Sequence, residues 1–404
     1  MTGLSIKAII IMAVMAHPGC GPVELDDIRQ ETDTEEDSGG NGEVPVVPKD
    51  RFITGVEYPE GYDWISDIGT DAEGAVLFLM KGDERIVELP VGHDSCVSAD
   101  ADMHRCLDGH LYTDFSTDRE TVIKMDGIEL LRYTGREMIT GIMVRSDGIY
   151  TLGQPRSGTG WAFRKDGAII ISRNSGTLLH GLFTDEDSVC FSYQDKVETP
   201  YGTREVYCLV KDGTQLSIPA EMDVTGIDDA ISVNGTFCYI AQLKGVRGRF
   251  LVNGSVRTPL EMPGDATDIS GCRFITGDSG IFLTGTLKGI PGKGPRDAVW
   301  HGTGLLAGTP ANGRIERCVI DGGKCYYIGR MQSETGTSFL YMNGKDMATP
   351  SRYRLIYPQC MGVYADDWCI ALSDWASSEC PVLWTEEGMT DYGFNGLFTS
   401  VTYW

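Results

Sequence analysis

The residues in this 404-residue chain best equipped for chemistry are two groups of cations, Lys244 with Arg247 and Arg249, and Lys288 with Lys293 and Arg296. A guanidinium presents paired N–H donors that fork onto a carboxylate or sulfate, so either group suits an anionic ligand. Tyr201 and Trp375 fall in comparable segments and offer rings on which a sugar could stack. The alternative for the cations is solvated loop charge balancing acidic neighbours. Catalytic patterns are missing. Asp and Glu are spread throughout, so nearness in sequence selects no acid–base pair. The histidines at 17, 93, 104, 110, 180 and 301 adjoin no nucleophile-like motif. Asp100-Ala101-Asp102 lacks the rest of a calcium loop. His104, Cys106 and His110 come nearest to a zinc set, but the Asp-Gly between them reads as a hairpin turn. No catalytic residue, metal or cofactor is assigned.

Charge narrows the partners. Lys and Arg number 34 against 58 Asp and Glu, a net charge of −24. Such a chain repels phosphate backbones, which argues against nucleic acid. Residues 1–20 place Lys7 before an apolar run, Ala8 to Ala16, followed by Gly19-Cys20. The run is too short to span a bilayer and suits a secretory signal. It resembles a bacterial lipoprotein signal, which implies acylation of Cys20. His17 and Pro18 depart from that pattern, and cleavage after Ala16 without a lipid is the alternative. Residues 21–50 carry ten acids against Arg29 and Lys49 and no apolar periodicity, the mark of an extended acidic linker. No later stretch approaches about 18 uninterrupted apolar residues. The membrane is therefore expected as a partner through the lipid anchor alone.

The elements that must position any site are short strands. Eight marks of the form apolar-run, polar pair, Gly end at residues 82, 127, 167, 213, 254, 302, 344 and 388. Their spacing runs from 40 to 48 residues. Four residues before each Gly stand Phe78, Ile123, Phe163, Leu209, Phe250, Ala298, Leu340 and Trp384, the apolar positions of a buried strand face. A second hairpin precedes most marks, as in IMVRSDGIYTLG at 142–153 and CVIDGGKCYYIG at 318–329. Four antiparallel strands per unit, repeated at this period, predict an all-β fold: a β-propeller of eight four-stranded blades over 51–404, with seven blades the alternative. The terminal run Leu397–Trp404 reads as an extra first strand that pairs into the first unit and closes the ring.

The stretches Ile149–Gly153, Tyr326–Gly329, Leu340–Gly344 and Phe250–Gly254 resemble the "VYVAG … LWKNG" repeats of secreted lipoproteins of the Bacteroidetes type. The resemblance covers most of 60–395 and implies a propeller at the outer membrane or cell surface, with no activity attached. Sialidase boxes, Gly-His…Trp-Asp pairs and a regular double-glycine kelch pattern do not occur.

An exported chain meets oxidising surroundings, which permits disulfides. Beyond Cys20 there are eleven cysteines, an odd number, so at least one stays unpaired. The expected pairs are Cys190–Cys208, Cys318–Cys325 and Cys360–Cys369; the alternative is buried thiols behaving as small apolar residues.

In such a ring the connections after the second strand share a face with those between blades. Here they are long: 154–160, 195–205, 243–249, 286–297 and 330–337. Long, varied loops mark that face as the binding face. The resulting expectation is an exported, lipid-anchored, monomeric propeller that binds a glycan or a surface protein without chemistry of its own. The alternatives are a glycoside hydrolase or polysaccharide lyase with a site spread over several blades, and a structural member of an outer-membrane complex.

Overall fold

The recurrent Asp-Gly pairs take the left-handed backbone that a two-residue hairpin requires: φ is 49° and 81° at Asp126 and Gly127, 49° and 78° at Asp166 and Gly167, and 47° and 81° at Asp212 and Gly213. Each aspartate also reaches sideways. Asp126 accepts from the Leu111 amide at 2.9 Å, Asp166 from Ile149 at 2.9 Å and Asp212 from Val189 at 2.8 Å. The acceptor lies on the turn between third and fourth strands, and the donor near the start of the second. One carboxylate thus joins two hairpins of a blade and satisfies an amide that would otherwise lack a partner.

The computed structural model describes residues 49–63, 73–155, 159–200, 202–218, 223–275, 280–289, 292, 294–332, 338–348, 353–354, 357–374 and 381–404. These form eight antiparallel sheets, each running outward from its first strand to its fourth. Blade two comprises His104–Leu107, His110–Ser116, Glu120–Met125 and Ile128–Thr134. Blade three comprises Glu137–Arg145, Gly148–Pro155, Trp161–Lys165 and Ala168–Arg173. Blade four comprises Thr177–Asp185, Ser188–Thr199, Gly202–Lys211 and Thr214–Ser217. Blade five comprises Val224–Val233, Thr236–Leu243, Phe250–Asn253 and Val256–Pro259. Blade six comprises Ala266–Ile275, Phe282–Gly289, Arg296–His301 and Gly304–Gly308. Blade seven comprises Gly313–Asp321, Lys324–Met331, Ser338–Met342 and Lys345–Ala348. Blade eight has its first strand in two pieces, Tyr353–Arg354 and Met361–Tyr364, both paired with Asp367–Asp374, then Pro381–Thr385 and Gly388–Asp391.

Blade one is built from both ends of the chain. Arg51–Glu57, Val76–Lys81 and Glu84–Pro90 supply three strands, and Gly396–Tyr403 adds the innermost, antiparallel to Arg51–Glu57. Asp50 and Trp404 exchange backbone hydrogen bonds at 2.8 and 3.0 Å, so Asp50, placed in the linker by its sequence, belongs to the ring. Eight sheets rather than seven close the circle. The segment 195–205 is not an irregular loop: the second and third strands of blade four run on together, Asp195 opposite Val206 through Thr199 opposite Gly202.

First strands of neighbouring blades touch around the axis. Arg105 donates to the Ile139 carbonyl at 2.7 Å between blades two and three. Asp228 and Asp229 of blade five accept from the Cys272 and Phe274 amides of blade six at 3.0 and 2.9 Å. Apolar side chains fill the wedges between sheets. Trp161 meets Phe191 at 5.0 Å and Tyr193 at 4.6 Å between ring centroids, joining blades three and four. Six of the eight apolar marker positions are buried, and Phe250 and Trp384 are half-buried.

Candidate functional site

The cations singled out by the sequence divide in the structure. Arg249 is buried, its Nε donating to Asp228 at 2.8 Å and one Nη to the Gly248 carbonyl at 3.2 Å. Arg296 forks onto Asp265 at 2.7 and 2.6 Å. Lys288 meets Asp268 at 3.0 Å. These three are fasteners within blades five and six, and the expectation that they present free charge to a ligand is corrected. Each cation is already neutralised by an aspartate on its own blade. Lys244 and Arg247 are exposed on the 243–249 connection. Lys293, Tyr201, Trp375 and Cys20 lie outside the described residues.

A polar hollow sits instead on the inner ring. Its volume is about 350 Å³, and it lies where the first strands of blades six and seven face each other. Gly271, Phe274, Thr284, Thr286, Glu316 and Arg317 line it, with Pro358 at the approach to blade eight. Two bulges shape the wall. The pairing of Ala266–Ile275 slips between Ser270 and Arg273, and that of Gly313–Asp321 slips between Ile315 and Arg317. An extra residue in one strand re-aims the side chains beside it, which brings Arg317 into the lining. Gly271 takes φ +62° within the first bulge, a conformation that suits glycine.

The charges around the hollow are settled except one. Asp297 accepts from the Thr286 hydroxyl at 2.8 Å, from Arg314 at 2.8 Å and from the Ile315 amide at 2.9 Å. Glu316 pairs with Arg330. Among the described residues Arg317 has no ion-pair partner. Its side chain reaches solvent, yet protein surrounds it on the inner ring, and that desolvation holds its pKa below the usual guanidinium value against the nearby Cys318 and Cys360 thiols. The arrangement offers a cation, the Thr284 hydroxyl and glycine backbone in a recess of ligand size.

An aspartate and a histidine on blade two are strongly perturbed without adjoining this hollow. Asp114 is buried on blade two, accepts from Arg105 at 3.0 Å, and has its pKa pushed up to about 7 by burial, with Arg105 opposing. His104 is buried, shares a hydrogen bond with Thr399 at 3.2 Å, and has its pKa lowered to about 3 by burial. Thr399 in turn bonds Thr54 at 2.7 Å, so His104 links blade two to the closing strand. His104 joins two blades, and Asp114 holds Arg105, which reaches blade three. Sequence marked out His104 only beside Cys106 and His110, and Asp114 not at all.

All ten cysteines within the described residues are unbonded thiols. The expected pair Cys190–Cys208 is corrected: Cys190 stands opposite Lys211 and Cys208 opposite Tyr193, three positions along, so the two side chains leave opposite faces of the sheet. Cys360 donates to the Phe398 carbonyl at 3.3 Å instead of joining Cys369. Cys318 and Cys325 approach with sulfurs 3.8 Å apart.

No family model matches the chain, and no curated protein matches it. Solved structures with similar chain paths exist. One is a dihydro-heme d1 dehydrogenase in complex with its ligand DHE, at 10% identity and TM-score 0.49, covering 89% of this chain and 76% of that one. Another is the β-propeller domain of the Trilobed protease from Pyrococcus furiosus, at 9% identity and TM-score 0.40, covering 69% of this chain and 87% of that one. A prolyl endopeptidase is similar at 9% identity and TM-score 0.45, covering 73% of this chain and 49% of that one.

Proposed function

We propose that this propeller is an exported, lipid-anchored binding module whose ligand is an acidic carbohydrate engaged at the inner ring of blades six and seven. The observation that carries the reading is Arg317, a cation without an acidic partner among the described residues, in a recess of about 350 Å³. Sugar hydroxyls find polar partners in Thr284 and the backbone at Gly271, while a uronate carboxylate or a sulfate takes the guanidinium. Binding is favoured over hydrolysis because both carboxylates of the recess are tied to arginines, Asp297 to Arg314 and Glu316 to Arg330, and a glycosidase needs a free pair. The leader ending at Cys20 and the acidic 21–50 segment support export and tethering.

A glycan array probed with the full chain tests the reading. Binding should concentrate on uronate-bearing or sulfated glycans and fall at least about tenfold in Arg317→Ala, the loss of one charged contact. Arg247→Ala should leave it unchanged. Retention of acidic-glycan binding by Arg317→Ala, or release of reducing ends from the glycans, overturns it.

A further inference from the structure

Cys318 and Cys325 belong to the first hairpin of blade seven. In its register Cys318 faces Tyr327 and Ile320 faces Cys325, so the two cysteines share one face of the sheet as diagonal neighbours. Their sulfurs are 3.8 Å apart, so an S–S bond of about 2.05 Å requires the two strands to draw closer at this point. Cys325 is buried, whereas Cys318 is partly exposed and lines the inner-ring hollow beside Arg317. Cys318 is therefore the cysteine nearer to a reagent entering the hollow, with Cys325 behind it.

We infer that Cys318 and Cys325 form a reversible thiol–disulfide couple. The partner reagent is a low-molecular-weight disulfide such as oxidised glutathione. The Cys318 thiolate attacks one glutathione sulfur, and the first glutathione leaves as a thiolate. The Cys325 thiolate then attacks the Cys318 sulfur of the mixed disulfide, and the second glutathione leaves. The protein loses two protons and two electrons, and the disulfide of oxidised glutathione takes them up to become two thiols. The hairpin already holds the cysteines together, so the bond closes little extra chain and adds little stability. That favours reversal over a permanent staple. A hydrogen bond to Cys325, together with burial, keeps the Cys318 thiol well above its usual pKa, so the thiolate is scarce and the exchange is slow, accelerating as pH rises. Cys360 and Cys369 serve as an internal comparison: Cys369 faces Gly362 in its hairpin, whereas Cys360 ends the 3-10 turn Pro358–Cys360 just before the strand and turns its thiol to the Phe398 carbonyl.

The inference stands apart from the glycan reading, and its test uses no glycan. The folded full chain is incubated with oxidised glutathione, free thiols are capped with N-ethylmaleimide, and trypsin digestion without reductant is followed by mass spectrometry. Trypsin cuts after Arg317, Lys324 and Arg330 and so separates the two cysteines onto different peptides. The expected product is Cys318–Lys324 joined to Cys325–Arg330, lost in Cys325→Ala and returned to two free thiols by reduced glutathione. A circular dichroism spectrum unchanged by oxidation shows that the bond forms in the folded chain. The two peptides recovered unlinked, whether capped or carrying glutathione, overturn the inference. So does a link that forms only after denaturation.

Discussion

Replacing Asp212 with alanine removes the acceptor of the Val189 amide and leaves a β-carbon in left-handed backbone without polar compensation. The expected loss is about 1–2 kcal/mol in urea unfolding, and Asp212→Asn should keep most of it because an acceptor remains. The buried titratable groups of blade two give a pH signature. Burial lowers the folded His104 pKa to about 3. The unfolded chain therefore takes up the proton first, and this residue costs stability as pH falls from about 6.5 toward 3. Asp114 acts in the opposite sense. Its folded pKa of about 7 lies above the ordinary aspartate value of 3.8, so its contribution is fully present below the lower value and lost as pH rises through the upper one. In Asp114→Asn the melting temperature relative to wild type should climb between about pH 4 and 7 and then level, and a flat difference across that range would contradict a buried neutral acid. Sequence showed which residues were charged but not which were already paired. Arg249 and Arg296 find their aspartates 21 and 31 residues upstream, across strands whose register no spacing reveals. Arg317 carried no signal in Ile315-Glu316-Arg317-Cys318, because a bulge aims it and bulges leave no period in the sequence.

Strands and turns were more readable, since side-chain alternation and positive-φ turns are local requirements. Seven of the eight Gly marks fall in the turn between third and fourth strands and Gly388 opens the fourth strand itself, while the polar letters of 195–205 hide a ladder that continues past the sheet. The closing strand was legible as a surplus copy, and it concentrates a testable energy. A β-carbon on Gly55 would stand 2.3 Å from the Phe78 ring and 2.8 Å from the Leu397 carbonyl, and the carbonyl belongs to the strand that shuts the ring. Gly55→Ala should therefore destabilise the chain by about 2 kcal/mol or more, comparable to overpacking a core. Phe398 is buried against Phe78 at 6.2 Å and Phe394 at 5.6 Å, and Phe398→Ala should cost about 3–5 kcal/mol. Urea titrations check both, and near-wild-type midpoints would mean that the terminal strand does not hold blade one.

At the scale of the molecule the repeat period decided the architecture, because a single four-stranded sheet cannot cover both its faces and neighbours must stack until the ring closes. Blade count and closure followed from eight marks and one spare strand; the position of the recess did not, because it depends on two bulges meeting across a blade boundary. The proposed tether gives a separate prediction: Cys20→Ser should move the protein from the membrane fraction to the soluble exported fraction, as loss of an acyl anchor requires. The binding claim is tested most directly by a crystal structure of the chain soaked with the acidic glycan that binds it best. The account predicts the ligand between the first strands of blades six and seven, its carboxylate or sulfate forked by Arg317. A ligand held by the outer loops around Lys244 and Arg247, with the inner recess filled by solvent alone, would contradict it.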